Sequence, residues 1–212
     1  MSNLFNQSGD DIWSRPLAHT LRPAGLEDFF GQDEIVGEDK LLRQLIREDK
    51  LHSMVFYGPP GTGKTTLARI IANETSAEFE QVSAVSSGVP ELRKVVERAA
   101  KRCEMGTRTV LFVDEIHRFN KAQQDALLPF VEDGTVILIG ATTENPSFEV
   151  NSALLSRSQV FVFKVLDDKA LQGILARALD KVGDLTGRKI TIDEEGMDFL
   201  VQYANGDART LL

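Results

Sequence analysis

Gly58-Pro59-Pro60-Gly61-Thr62-Gly63-Lys64-Thr65 carries the spacing G-x-x-x-x-G-K-[ST], following an apolar run and preceding a helical stretch from Thr65 to Asn73. Its chemistry is phosphate binding. Successive backbone N–H groups wrap a di- or triphosphate at a closeness only glycine permits, and the negative charge rests on a helix amino terminus. Lys64 adds a point charge for the outer phosphates and the Thr65 hydroxyl a ligand for Mg²⁺; Pro59, Pro60, Thr62 and Thr66 complete the expected contact set. A second feature is Val110-Leu-Phe-Val-Asp114-Glu115, a buried-strand run ending in two carboxylates. At the carboxyl end of a parallel strand such side chains emerge where ligands bind. Asp114 is then placed to hold Mg²⁺ through water, and Glu115 to orient or deprotonate a water attacking a γ-phosphate. Phosphoryl transfer needs this positioning and charge neutralisation more than covalent help. A third run, Val136-Ile-Leu-Ile-Gly-Ala, ends in Thr142-Thr143-Glu144-Asn145. If its strand lies between the other two, Thr143, preferred here over Thr142, reaches both γ-phosphate and water; the same pair also reads as an ordinary turn.

These residues need a scaffold, and the chain alternates in a way that supplies one. Apolar runs at Met54 to Tyr57, Phe79 to Val82, Val110 to Val113, Val136 to Ile139 and Val160 to Phe163 are separated by amphipathic stretches. That order predicts a parallel sheet with helices on both faces, because parallel strands need crossover connections. The clearest helix follows Pro90, with Leu92, Val95, Val96, Ala99, Ala100 and Cys103 at three- and four-residue steps; this reading puts Cys103 in the core. Pro129 should bend or end the helix patterned from Ala122 to Val131. After Val165 strand signals stop, and helical patterns at Asp167 to Lys181 and Asp193 to Ala204 predict a small all-helical unit. The organisation expected is an extension over 1–20, an α/β nucleotide domain over 21–165, and a helical lid over 166–212. With no helix-ending signal at Leu211-Leu212, the lid is expected to be incomplete and the chain part of a longer polypeptide.

Composition narrows the classes further. The 212 residues are 42% hydrophobic and 26% charged, enough for a buried core. They contain no run of about eighteen uncharged apolar residues. The start, MSNLFNQSGDD, lacks the basic and apolar stretches of an export signal, so the expected location is cytoplasmic, with no membrane partner. One cysteine cannot form an internal disulfide or a cysteine-based zinc cage. A net charge of −8 confines nucleic-acid binding to a local basic strip.

Taken together, these features resemble the AAA+ ATPases. Leu21-Arg-Pro-Ala-Gly-Leu-Glu-Asp-Phe-Phe-Gly-Gln32 is similar to the segment that in the clamp-loader branch packs against adenine, which implies nucleotide contacts for Arg22 and Pro23. Ala141-Thr-Thr143 aligns with sensor 1. Ser156-Arg157 is similar to the motif whose arginine reaches the next subunit's ATP, and Gly206-Asp-Ala-Arg209 to sensor 2 in the lid. Read from the residues alone, Arg157 is also a surface arginine beside a turn, and Arg209 a helix-start arginine pairing with Asp207. The stretches His117-Arg-Phe-Asn-Lys-Ala-Gln-Gln-Asp125 and Gly140 to Arg157 resemble the replication-associated recombination protein A family, whose eukaryotic relatives are the Werner-helicase-interacting ATPases and the yeast maintenance-of-genome-stability protein. The resemblance implies a five-stranded P-loop NTPase of the AAA+ type. It also implies a DNA-dependent ATPase, using ATP and Mg²⁺, that acts on stalled forks, ends or gaps in replication, recombination and repair. Single-stranded-DNA-binding protein and a homotetramer are its implied partners, and the nucleoid its implied place. Branch-migration motors of the Holliday junction fit less well: they carry an extra hairpin before sensor 1, whereas Asp114 and Thr143 stand 29 positions apart. A clamp-loader subunit, which usually shows Ser-Arg-Cys where this chain has Ser-Arg-Ser, and a nucleotide-gated DNA-binding module remain alternatives.

The same resemblance suggests where DNA would touch. Ser86, Ser87 and Gly88 open the helix after Pro90 with Arg93 or Lys94 nearby, and Arg118 and Lys121 follow the acidic motif. A solvated polar helix face is the alternative for all of them. His52 and His117 are expected to be structural or interface residues, since hydrolysis with Glu115 in place needs no imidazole.

Overall fold

A computed structural model describes residues 16–85 and 87–212. Five parallel strands, β1 (Met54–Tyr57), β2 (Glu78–Ser83), β3 (Thr109–Asp114), β4 (Ile137–Thr142) and β5 (Gln159–Val162), form one sheet in the order β2-β3-β4-β1-β5. The third run is therefore inserted between the other two. Val113 lies beside Gly140 across β3 and β4, and Tyr57 beside Thr142 across β1 and β4. Because the three strands run parallel, their carboxyl ends leave the sheet at one edge. Before β1 come the short helices α1 (Leu17–Thr20), α2 (Asp33–Val36) and α3 (Leu41–Arg47). The crossovers hold α4 (Lys64–Glu74), α5 (Val89–Glu104), α6 (Lys121–Asp125), α7 (Leu128–Glu132), α8 (Pro146–Glu149) and α9 (Ser152–Leu155). Helices α10 (Asp168–Thr186), α11 (Glu194–Ala204) and α12 (Ala208–Leu211) follow the sheet.

The two-residue period of the central strands divides the core between the faces. Val110 and Phe112 pack with Leu42, Leu67 and Ile71 under α3 and α4, while Leu111 and Val113 pack with Leu92, Val95 and Val96 under α5. Both faces are covered, which is why β3 and β4 read as continuous apolar runs rather than alternating ones. Gly140 is required for contact: a Cβ there would lie 2.8 Å from Ile116, just after the acidic motif. The helices after β5 have their own core of Leu166, Leu171, Leu175, Val201, Ala204 and Leu211.

Three local expectations meet different fates. Pro129, near the start of α7, separates it from α6, because the ring removes a donor and crowds the preceding turn. Helix α10 runs beyond Lys181 to Thr186 and stops at Gly187, whose φ of 65° is the left-handed cap a glycine provides. Cys103, in contrast, is exposed and not part of the core. The apolar stripe of α5 is buried only through Ala99, and the last turn of the helix runs past the packed interior. Phe112→Ala, which empties a fully buried site, should therefore cost about 3–5 kcal/mol of stability in chemical denaturation. Cys103→Ser should stay within about 0.5 kcal/mol.

Candidate active site

The loop after β1 is shaped by three glycines, each for a spatial reason. Gly58 donates its N–H to Thr142 O (3.1 Å), and a Cβ on it would stand 2.3 Å from Phe163 O. Gly61 (φ +66°) faces the Asp207 carboxylate, and Gly63 (φ +98°) faces the ring of Phe29. The Thr62 hydroxyl is spent inside the loop, donating to Pro59 O (2.8 Å). Gly63 caps α4 without a side-chain bond, and the first N–H returned to the helix is that of Leu67. The N–H groups of Lys64, Thr65 and Thr66 therefore precede the helical ladder at the cavity wall, as anion donors must. Lys64 Nζ donates to Gly58 O (2.7 Å) and Pro59 O (2.6 Å). Burial pushes its pKa down to about 8; Asp114 resists the shift, Arg209 adds to it and Asp207 opposes it.

Asp114 ends β3 and lines the same cavity as Thr65. Glu115 follows with φ +54°, a left-handed conformation uncommon outside glycine, which turns its carboxylate away from the strand direction. Its side chain is 45% exposed and lies 3.9 Å from Arg118 Nε. On β4, Thr142 is buried, its hydroxyl accepting the Glu144 N–H (2.9 Å) and meeting His117 Nδ1 (3.0 Å). Thr143 is the exposed member of the pair and lines the cavity. His117 is thus engaged as a structural partner, and His52, which is exposed, lies off the cavity wall.

The cavity, about 380 Å³, is closed by two further segments. One carries Arg22 and Pro23. Among the described residues Arg22 Nε is buried without a hydrogen-bond partner, and burial, then Arg69, then Arg209 hold the guanidinium below its ordinary pKa. The other is the lid: Asp207 caps α12, the Ala208 N–H donates to Gly61 O (3.1 Å), and Arg209 lines the cavity. Arg22, Lys64 and Arg209 so converge, and the electrostatic need is for a polyanion. A hard divalent cation fits beside them. Thr65 and Asp114 offer oxygen donors, and no cluster of three His, Cys, Asp or Glu occurs among the described residues, so water and phosphate oxygens would complete its shell.

Sequence reasoning missed several wall residues. Phe29, Phe30, Ile174 and Arg177 all line the cavity. Gln32, in a left-handed turn, donates to Lys164 O (2.7 Å) and accepts the Lys164 N–H (3.0 Å), fastening the first segment to the end of β5 just before the lid. Its Gly-Gln dipeptide was visible, but a partner 132 positions away was not.

The remaining expected residues lie outside the cavity. The Arg157 guanidinium is held by Glu132 (2.7 Å), Ala153 O (3.0 Å) and Ser156 Oγ (3.2 Å). Ser86 falls outside the described residues. Ser87 is buried, a correction to its reading as a phosphate contact: its N–H donates to Ser83 O and its carbonyl accepts from Gln123, folding it under the loop. Gly88, Arg93, Lys94, Arg118 and Lys121 are exposed, and the Gln123–Ser87 bond (2.9 Å) brings α6 to the start of α5.

Comparison with known proteins agrees with this geometry. Residues 21–157 match the family described as the Holliday junction DNA helicase RuvB P-loop domain. Replication-associated recombination protein A of Haemophilus influenzae is 52% identical over 93% of this chain and 44% of its own length. The Escherichia coli K12 protein of that name is 48% identical over 100% of this chain and 47% of its own, and ATPase WRNIP1 of Dictyostelium discoideum is 45% identical over 93% and 22%. The chain thus spans less than half the length of these curated relatives. Among solved structures, the Thermotoga maritima RuvB Holliday junction branch migration motor superposes with a TM-score of 0.73 at 29% identity, over 90% of this chain and 62% of that one. The chain belongs to the family of RuvB-type P-loop ATPases of the AAA+ class, and over nearly its whole length it is similar to the replication-associated recombination protein A sequences.

Proposed function

We propose that the cavity binds ATP with Mg²⁺, that Glu115 drives its hydrolysis, and that turnover in the full-length protein remodels DNA ends, gaps or stalled forks during replication, recombination and repair. The observation that carries the reading is the convergence of Lys64, Arg22 and Arg209 with Asp114 and Glu115 on one cavity. Lys64 and the N–H groups opening α4 take the phosphates, and Arg22 and Pro23 the nucleoside side. Thr65 and Asp114 would hold Mg²⁺, which when bound neutralises charge on the phosphate oxygens. Glu115 orients the attacking water and accepts its proton, and Thr143 hydrogen-bonds both water and γ-phosphate. Arg209 reports the γ-phosphate to the lid. Arg157, outside its own cavity, serves a neighbouring subunit's nucleotide, which makes hydrolysis depend on assembly, a homotetramer in this reading.

DNA is assigned to the exposed strip of Gly88, Lys94, Arg118 and Lys121, a local patch on an acidic protein, with single-stranded-DNA-binding protein as the companion factor. On this reading the protein works in the cytoplasm, at the nucleoid. Among the described residues no helix is long and apolar enough to cross a membrane.

Lys64→Ala should abolish ATP binding in titration calorimetry, while Glu115→Gln binds ATP with turnover reduced by about 10²-fold or more; a Glu115→Gln enzyme that still cycles would remove the proposed base. Lys64 also sets a pH dependence. Its pKa of about 8 in the free protein must rise against phosphate, so affinity is full below pH 8 and declines as pH climbs through that value. Lys64→Arg, charged throughout, should flatten the decline between pH 7 and 9.5. Replacing Arg118 and Lys121 together by alanine in the full-length protein should weaken DNA binding and reduce its log–log salt slope by about 2; an unchanged slope takes both off the DNA face. ATPase rates across fork, gap and end substrates test the remodelling role, and nucleotide binding without turnover on any of them would leave a nucleotide-gated binding module.

A further inference from the structure

The stretch from His117 to Asp125 supplies none of the groups assigned to the chemistry, yet its side chains reach three parts of the site. His117 meets Thr142 at the tip of β4, and Gln123 holds Ser87 at the start of α5. Gln124 has the most exacting position. It is only 3% exposed, and its amide is satisfied entirely by backbone from separate segments. Nε2 donates to Phe119 O (3.1 Å) and to Glu149 O (3.0 Å), and Oε1 accepts the Asn151 N–H (2.6 Å). Both amide protons and an acceptor lone pair are used, and removing them leaves three backbone groups without this partner, the Phe119 carbonyl among them in the buried interior.

From Gln124 a continuous hydrogen-bonded path runs to Arg157. Asn151, fixed by Gln124, caps α9 by accepting the Ala153 N–H on Oδ1 (2.9 Å), and the Ala153 carbonyl accepts from Arg157 Nη1 (3.0 Å). The Asp125 carboxylate accepts from Asn151 Nδ2 and braces the same turn from the neighbouring position. Helices α8 and α9 have four residues each, too few to hold a geometry by their own ladders. Their placement comes from outside: Val150 and Leu154 pack into the core, and Gln124 holds the backbone of the turn between the two helices. The other end of the amide holds Phe119, which closes the turn beginning at Glu115.

We propose that Gln124 is the positioning residue for Arg157, fixing the α8–α9 turn from which the arginine is presented to a neighbouring subunit. This rests on the reading of Arg157 as acting in trans. Subunit mixing in the full-length protein tests it. Gln124→Met keeps the side-chain length and removes the amide; alone it should lose about 10²-fold in ATPase rate with ATP affinity unchanged. Mixed with Glu115→Gln, which lacks its own base but offers an intact Arg157, it should regain activity, because the Gln124→Met subunit still has its own base. Arg157→Ala mixed with Glu115→Gln is the reference pair and should show the same rescue. Rescue of the reference pair but not of Gln124→Met would overturn the proposal and assign the defect to the subunit's own Glu115 turn, as full activity of Gln124→Met alone also would. Failure of the reference pair would sink the trans reading of Arg157, and the proposal with it. If Gln124→Met loses its cooperative thermal melt, Asp125→Ala takes its place: it should lose about 5-fold and be rescued in the same way, and a failure of that rescue counts equally against the proposal.

Discussion

The bond from the Gly58 N–H to Thr142 O carries the β1–β4 pairing one residue beyond the strands and into the phosphate loop. Through it the loop is anchored to β4, and β4 is in turn flanked by β3, so Gly58, Asp114 and Thr143 reach one edge. Without that strand order the lysine and the acids would be parts of separate surfaces. Gly140 on β4 lets Ile116 pack close against the strand, where a Cβ would stand 2.8 Å from its side-chain tip.

Electrostatics then explains why such an arrangement is a site rather than a stable resting place. Burial lowers the pKa of Lys64, and Arg209 lowers it further; Arg22 is depressed by burial and by Arg69 and Arg209. The loop compensates Lys64 with two of its own carbonyls, which are dipoles and not charges. A polyanion removes the repulsion that these cations exert on one another, so binding energy is stored in the unliganded arrangement. The same cavity is bounded by a lid whose backbone donates to Gly61, and the residue Lys164 just before it is fastened by Gln32. The phosphate loop and the lid are thus joined directly, by the Ala208 N–H donating to Gly61 O. In the same way α6 links the segment after Glu115 to the segment before Arg157 by the amide of Gln124.

Much of this architecture was readable in the chain because it depends on short-range chemistry. The glycine spacing before Lys64 encodes positive φ values and close approach, the apolar run before Asp114 encodes a strand buried on both faces, and the alternation of such runs with amphipathic stretches encodes a parallel sheet. Pro129 likewise acts through its own missing N–H. Family resemblance added Arg22, Arg157 and Arg209, residues whose local surroundings carry no distinguishing pattern.

What the tertiary structure alone decided concerns which neighbour covers a residue. Cys103 continues an apolar stripe by spacing but lies beyond the last packed turn, and Ser87 has a surface composition but is folded beneath its loop. Gln32 and Gln124 are ordinary polar residues in the sequence, and their importance comes from carbonyls and N–H groups supplied by residues 5 to 132 positions away. Glu115 adopts a left-handed conformation that no glutamate advertises. Period, glycine spacing and proline placement are properties of the covalent chain and survive in a one-dimensional reading. Burial and hydrogen-bond satisfaction are properties of the packed whole, because each depends on atoms brought together only when the sheet closes.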